Sequence, residues 1–148
     1  MSDPLSILAG IAGVSAVGVQ LSISLYEISN RLITAPKEVA DIASELACLA
    51  SIFDQLKTTL EANRKLVRDQ LIVTASETLS RFDALQKDVT DIVANVRKCD
   101  RPFERLKWLF KESRIASLMA KVNAVKASLN LLVSIIQIAV TVSVGARK

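Results

Sequence analysis

Seven apolar side chains, Val39, Ile42, Leu46, Leu49, Phe53, Leu56 and Leu60, follow one another at spacings of three and four residues without a break. That rhythm keeps one face of an α-helix apolar for about six turns, whereas a strand, whose side chains alternate every two residues, would scatter the same set to both sides. Lys, Glu and Asp occupy the opposite face. A helix so divided must bury its stripe against other helices.

The same rhythm recurs three times. Ile11, Val14, Gly18, Leu21, Leu25, Ile28 and Leu32 mark a first helix; Ala75, Leu79, Phe82, Leu85, Val89, Ile92 and Val96 a third; Ile115, Leu118, Val122, Val125, Leu129, Leu132, Ile136 and Ala139 a last one. Asp3 and Pro4 suit an N-cap and a first helical position. Ala35-Pro36 ends the first helix, because a residue before proline is pushed out of the α region. Continuing the second stripe would place Asn63, Val67, Gln70 and Thr74 on it, three of them polar, so that helix is expected to end or turn within Ala62 to Asp69 although no Gly or Pro marks the place. The third stops at KCDRPF, residues 98–103, and a bend near Glu112-Ser113 would set a short extra helix near 103–112 apart from a long final one.

These segments predict an all-α, antiparallel four-helix bundle of long helices joined by short links, a single domain over residues 1–148. A coiled coil with the second and third helices fused is the alternative, and its open stripe would require a partner chain. Four Gly and three Pro are too few for the regular turns of an all-β fold. Apolar sequence running close to Gly145-Ala146-Arg147-Lys148 carries the expectation that this domain is the N-terminal part of a longer protein.

The net charge of +4 is unevenly spread: residues 35–96 hold seven basic and ten acidic side chains, residues 97–148 eleven basic and three acidic. Arg97, Lys98, Arg101, Arg105, Lys107, Lys111 and Arg114 crowd the third connection. Either they form a solvated surface or they meet an anionic partner, of which a phospholipid surface is favoured. Nucleic acid is disfavoured, since no groove-reading motif occurs and only Phe103, Trp108 and Phe110 could stack on bases.

Pro4 to Tyr26 and Ala127 to Ala146 contain no charged side chain, 23 and 20 residues respectively. Each is long enough to cross a hydrocarbon core of about 30 Å. Ser15 and Ser22, with Ser29 seven residues further along the same helix, and Asn130, Gln137, Thr141 and Ser143 break the apolar character of the two helices, so burial in a bundle is the expected resting state. Asp3 stands where a secretory signal needs Lys or Arg. Cys48 and Cys99 are read as two reduced thiols, and without a histidine the chain holds neither a zinc site nor a catalytic triad. No cofactor and no enzymatic activity are expected.

The opening MSDPLSILAGIAGVSAVGVQLS, the segment PKEVADIASELACLASIFDQL and the late RLKWLFKESRIASLMAKVNAVKASLNLLVSII resemble the N-terminal HeLo-like domain of fungal STAND-type receptors, with NACHT or ankyrin-repeat regions downstream. The resemblance covers nearly the whole chain. It implies a cell-death effector of innate immunity, cytoplasmic at rest, that self-associates on activation, reaches the plasma membrane and permeabilises it, similar in plan to the necroptosis executioner bundle and plant coiled-coil resistance domains. On that resemblance the inserting element is Leu5 to Leu25, with Leu5, Ile7, Leu8, Ile11, Val14, Val17, Val19 and Leu21 meeting lipid, and Gly10, Gly13 and Gly18 allowing close helix contact. A soluble signalling or oligomerisation bundle without lipid contact is the competing reading. Ile7, Val17, Val19 and Ile23 discriminate between them: off the main stripe, they are expected exposed in the first case and buried in the second.

Overall fold

The computed structural model describes residues 4–31, 36–63, 65, 69–97 and 111–146. Four helices account for nearly all of them: α1 (Pro4–Ser29), α2 (Pro36–Ala62), α3 (Asp69–Arg97) and α4 (Glu112–Ala146). The segment 103–110, where a short extra helix was expected, lies outside the described residues, as do Leu32 and Cys99. Cys48 is an exposed free thiol on α2.

The break between α2 and α3 falls where the stripe turns polar, and Asn63 closes it. Its backbone N–H and its side-chain amide both donate to the Thr59 carbonyl, at 3.1 and 2.8 Å, occupying an acceptor that the end of a helix leaves free. At the start of α4 the Lys111 carbonyl accepts the first two helical bonds, from Arg114 and Ile115, each at 3.0 Å.

Consecutive helices run antiparallel. Pairs across α1 and α2 descend against each other, Ser15 with Ala50 and Ser22 with Ala43; pairs across α1 and α3 rise together, Gly10 with Leu79 and Gly18 with Gln86. The α1–α2 contact is the most extensive, followed by α3–α4, α1–α3 and α2–α4. The helices therefore stand around the bundle in the order α1, α2, α4, α3, and the connection from α2 to α3 crosses its diagonal. Phe53 and Phe82 meet there, stacked with centroids 4.8 Å apart and planes 7° from parallel, both fully buried. Separate α2 and α3 packed ring on ring replace the fused coiled coil.

All four stripes point inward. Every stripe position of α2 and α4 is buried except Ala139, which is half-buried; Leu79 and Val96 on α3 and Val14 on α1 are half-buried. Two ion pairs fasten α4 by its charged half, Lys121 to Asp88 of α3 and Lys126 to Glu45 of α2, the second at 2.7 Å. At partial exposure each contributes no more than about 1 kcal/mol, so packing rather than charge holds α4.

Candidate functional site

The uncharged stretch of α1 is held on two sides by different chemistry. Against α2, Ser15 Oγ donates to the Ala50 carbonyl at 2.9 Å and Ser22 Oγ to the Ala43 carbonyl at 2.7 Å. The seven-residue serine spacing is thus a polar seam, not merely an interruption of an apolar helix. Ser29, the third of the series, turns back to its own helix and donates to the Tyr26 carbonyl.

Gly18 lies between the two seam serines and lets the backbones approach. A Cβ there would stand 3.0 Å from Ala50 Cβ and 3.4 Å from the Phe82 ring. It would also stand 3.2 Å from Gln86 Nε2, which crosses from α3 to donate to the Val14 carbonyl at 2.7 Å. Gln86 is 3% exposed, and its hydrogen bond joins α3 to α1. Without a side chain at Gly18, its amide fits against the α1 backbone. Gln86 went unmarked in the sequence, although it follows Phe82 by one turn and precedes Val89 by three residues, which places it on the buried stripe.

The glycines differ. At Gly10 a Cβ would meet Leu79 Cδ1 at 3.3 Å, while at Gly13 it would meet nothing within 4 Å. The expected close contact at Gly13 is therefore not formed within the chain. Gly13 instead borders an open groove of about 570 Å³ between α1 and α3, floored by Ile7, Val14 and Leu79, with the exposed Asp83–Lys87 pair among its lining residues. A second groove of about 560 Å³ continues it toward Val93, sharing Val17 and Thr90 with the first.

The eight residues expected to meet lipid divide by position. Ile7, Leu8, Ile11 and Leu21 are buried, Val14 is half-buried, and Leu5, Val17 and Val19 are exposed. Ile7 corrects the reading that placed it off the stripe: it precedes Ile11 by four residues, one helical turn, and so shares its face, at 4% exposure. The discriminating set splits with it, since Val17, Val19 and Ile23 are 40, 47 and 56% exposed. Around the helix, Leu5, Ala9, Gly13, Ala16, Gln20 and Ile23 form an outward face with no charge before Glu27.

Of the basic cluster, Lys111 and Arg114 are exposed at the start of α4, and Arg97 is the last residue of α3. Arg114 lines a cleft with Asp88 and Asp91 of α3, which offset its charge. Lys98, Arg101, Arg105 and Lys107 lie outside the described residues.

The second uncharged stretch is the far half of α4. Leu131, Ile138, Val142 and Val144 are each more than half exposed. Both α1 and α4 are long and apolar enough to cross a membrane; 33% and 22% of their most apolar windows are buried.

The model of the pigment biosynthesis cluster protein PigL N-terminal family matches residues 2–146. No curated protein and no solved structure matches the chain. The match spans nearly the whole chain, and the chain belongs to the pigment biosynthesis cluster protein PigL N-terminal family.

Proposed function

We propose that this domain is a non-catalytic effector whose first helix leaves the bundle and enters a membrane when copies associate, so permeabilising it. The observation that carries the reading is α1 itself: a helix uncharged from Pro4 to Tyr26 that keeps Leu5, Val19 and Ile23 in water at rest. A helix without charge on any side is ordinarily covered on more than one, in protein or in lipid. Resemblance to HeLo-like cell-death domains supports the same direction, with the cytoplasm as the resting place, the plasma membrane as the target and a receptor region downstream in the same chain.

Release must be driven. Ile7, Leu8, Ile11, Leu21, Leu25 and Ile28 are all buried, and at about 1.5–3 kcal/mol per side chain, exposing them to water costs on the order of 10 kcal/mol. Hydrocarbon returns most of that, so association at a membrane is where release becomes favourable. The cluster Arg97, Lys98, Arg101, Arg105, Lys107, Lys111 and Arg114 would hold the domain to anionic headgroups, at about 1 kcal/mol per residue near the surface.

Dye release from anionic vesicles tests the reading, with the domain fused to an inducible oligomeriser. Ile23→Asp and Val19→Asp change exposed positions, so leakage should fall at least tenfold while the melting temperature stays within about 2 °C. Tight vesicles with the oligomerised wild-type domain, or leakage untouched by both variants, refute it. The four buried residues among the eight favour a second reading, a soluble signalling or oligomerisation bundle, under which vesicles stay tight while the domain still associates.

A further inference from the structure

Three of the helices bring exposed apolar side chains to the same pole of the bundle. Ser15 beside Ala50, Gly10 beside Leu79 and Asp88 beside Lys121 fix the directions of the chain. The start of α1, the end of α2, the start of α3 and the end of α4 therefore lie together. Leu5 on α1, Val73 on α3, and Ile138, Val142 and Val144 on α4 belong to that pole, and each is more than half exposed. The last three form the tip of the uncharged run Ala127 to Ala146, for which the release of α1 has no use.

The charges around the pole say what covers it. Seven uncharged residues separate Asp69 from Glu77 at the start of α3. Glu61, near the end of α2, faces Lys57 at 4.0 Å. Lys65 is exposed between α2 and α3. Arg64, Arg68, Arg147 and Lys148 are each one or two residues from a described position, so the chain holds them within about 8 Å of it. Basic residues thus outnumber Asp3 and Asp69 here, and a partner must be apolar at its centre and anionic at its rim. Two copies docked pole to pole would set like charges against each other, and a water-soluble polyanion offers no hydrocarbon. An anionic bilayer supplies both layers in the required order, with basic side chains reaching back to the headgroups. The opposite pole is mixed in sign, because Glu27, Glu38, Asp41 and Asp91 are exposed there.

We propose that the resting bundle docks end-on to anionic bilayers through this pole, with Leu5, Val73, Ile138 and Val142 in the interface and the basic residues at the headgroups. The inference rests on the reading that the domain acts at a membrane, and adds the direction of entry. The N-terminus of α1 already stands at lipid, so the uncharged run from Pro4 enters with Leu5 leading, and the tip of α4 stays as an anchor when α1 leaves. The cluster from Arg97 to Arg114 lies at the other pole, about 40 Å away along the 26 residues of α1. Its contact with headgroups is a separate event.

Flotation of the 148-residue chain with phosphatidylcholine vesicles, with and without phosphatidylserine, measures docking apart from leakage. Wild-type protein should float with the phosphatidylserine vesicles and bind phosphatidylcholine alone about tenfold more weakly. Ile138→Asp with Val142→Asp should lower partition about tenfold or more, and Lys65→Glu with Arg147→Glu should remove the preference for phosphatidylserine, each with an unchanged melting temperature. Leu131→Asp is the control. It is 58% exposed on the same helix but about 10 Å farther from the pole than Ile138, so it should bind as wild type does. Equal loss with Leu131→Asp would mean that the bundle lies on its side, and overturns the inference. So does wild-type protein that fails to float, whether monomeric or assembled, and so does binding indifferent to Ile138 and Val142. Dye release by the oligomerised domain that persists in the Ile138 and Val142 variant leaves the membrane reading standing and removes this one. Docking through the pole without dye release keeps the pole and removes the release of α1.

Discussion

Alanine placed at Gly18 and at Gly13 should move stability in opposite directions. Both changes remove a helix-interior glycine, a gain of about 1 kcal/mol each by propensity. At Gly13 nothing opposes the gain, since the new methyl enters open space. At Gly18 the methyl would arrive 3.0 Å from Ala50 Cβ, against an ordinary carbon–carbon contact of about 3.5–4.0 Å. Ala50 is fully buried and its methyl has no rotamer to change, so α1 and α2 must part there by a few tenths of an ångström, an overpacking cost of about 1–3 kcal/mol. The same methyl, 3.2 Å from Gln86 Nε2, pushes on the amide that reaches the Val14 carbonyl, at a further cost of about 1 kcal/mol. The net expectation is a loss of about 1–3 kcal/mol for Gly18→Ala and a gain of about 1 kcal/mol for Gly13→Ala. Urea unfolding followed by circular dichroism at low micromolar concentration reads both from the midpoint, with the slope unchanged. Equal stabilisation by the two variants would refute the close approach of α1 to α2.

Four further outcomes follow from particular contacts. Phe53→Ala should cost about 3–5 kcal/mol in the same urea assay, because the Phe82 ring loses its stacked partner in the middle of the core. Ser15→Ala and Ser22→Ala should cost only about 0.5–1 kcal/mol each by thermal melting, since the α2 carbonyls they release keep their own helical bonds. Gln86→Glu should destabilise by at least about 2 kcal/mol at pH 7, because it sets a buried carboxylate facing the Val14 carbonyl. Burial raises the folded pKa of that glutamate above the unfolded value of about 4.3, so the penalty should fade as pH drops through the folded value and the acid can donate again; a pH-independent loss would contradict the contact. Ile7→Asp should unfold the domain at 37 °C while Ile23→Asp leaves melting within about 2 °C, a contrast that follows from 4% against 56% exposure.

The helices and their inward faces were legible because burial repeats the same choice at each turn, and a stripe of seven positions averages out local ambiguity. The α2–α3 break could be found without Gly or Pro for the same reason: Asn63 and its successors put polar atoms where the core requires carbon. Spacing of three and four fixes a face, but says nothing of which helix that face meets. The diagonal placement of α2 and α3, and with it the Phe53–Phe82 stack, depended on the third dimension. Gln86 was hidden because a single polar residue beside a stripe reads as its edge; only the bare backbone at Gly18, on another helix, makes its burial favourable. Ile7 shares the face of Ile11 one turn earlier, but the small and polar residues around it in the first turns of α1 leave the start of the stripe unmarked.

The diagonal also determines what remains if a corner is vacated. With α1 gone, α4 still touches both α2 and α3, and the two phenylalanine rings still join α2 to α3, so the remaining three helices form a closed triangle rather than an unzipped sheet of helices. The departure of α1 uncovers one strip of core, the side of α2 and α3 that faced Gly18, on a body tied through α4 on two sides and pinned by the one ring stack across the third. Such a body can wait, partly undressed, for a second molecule to cover the strip, and its lifetime in that condition would be set by the diagonal aromatic contact more than by any salt bridge on its surface.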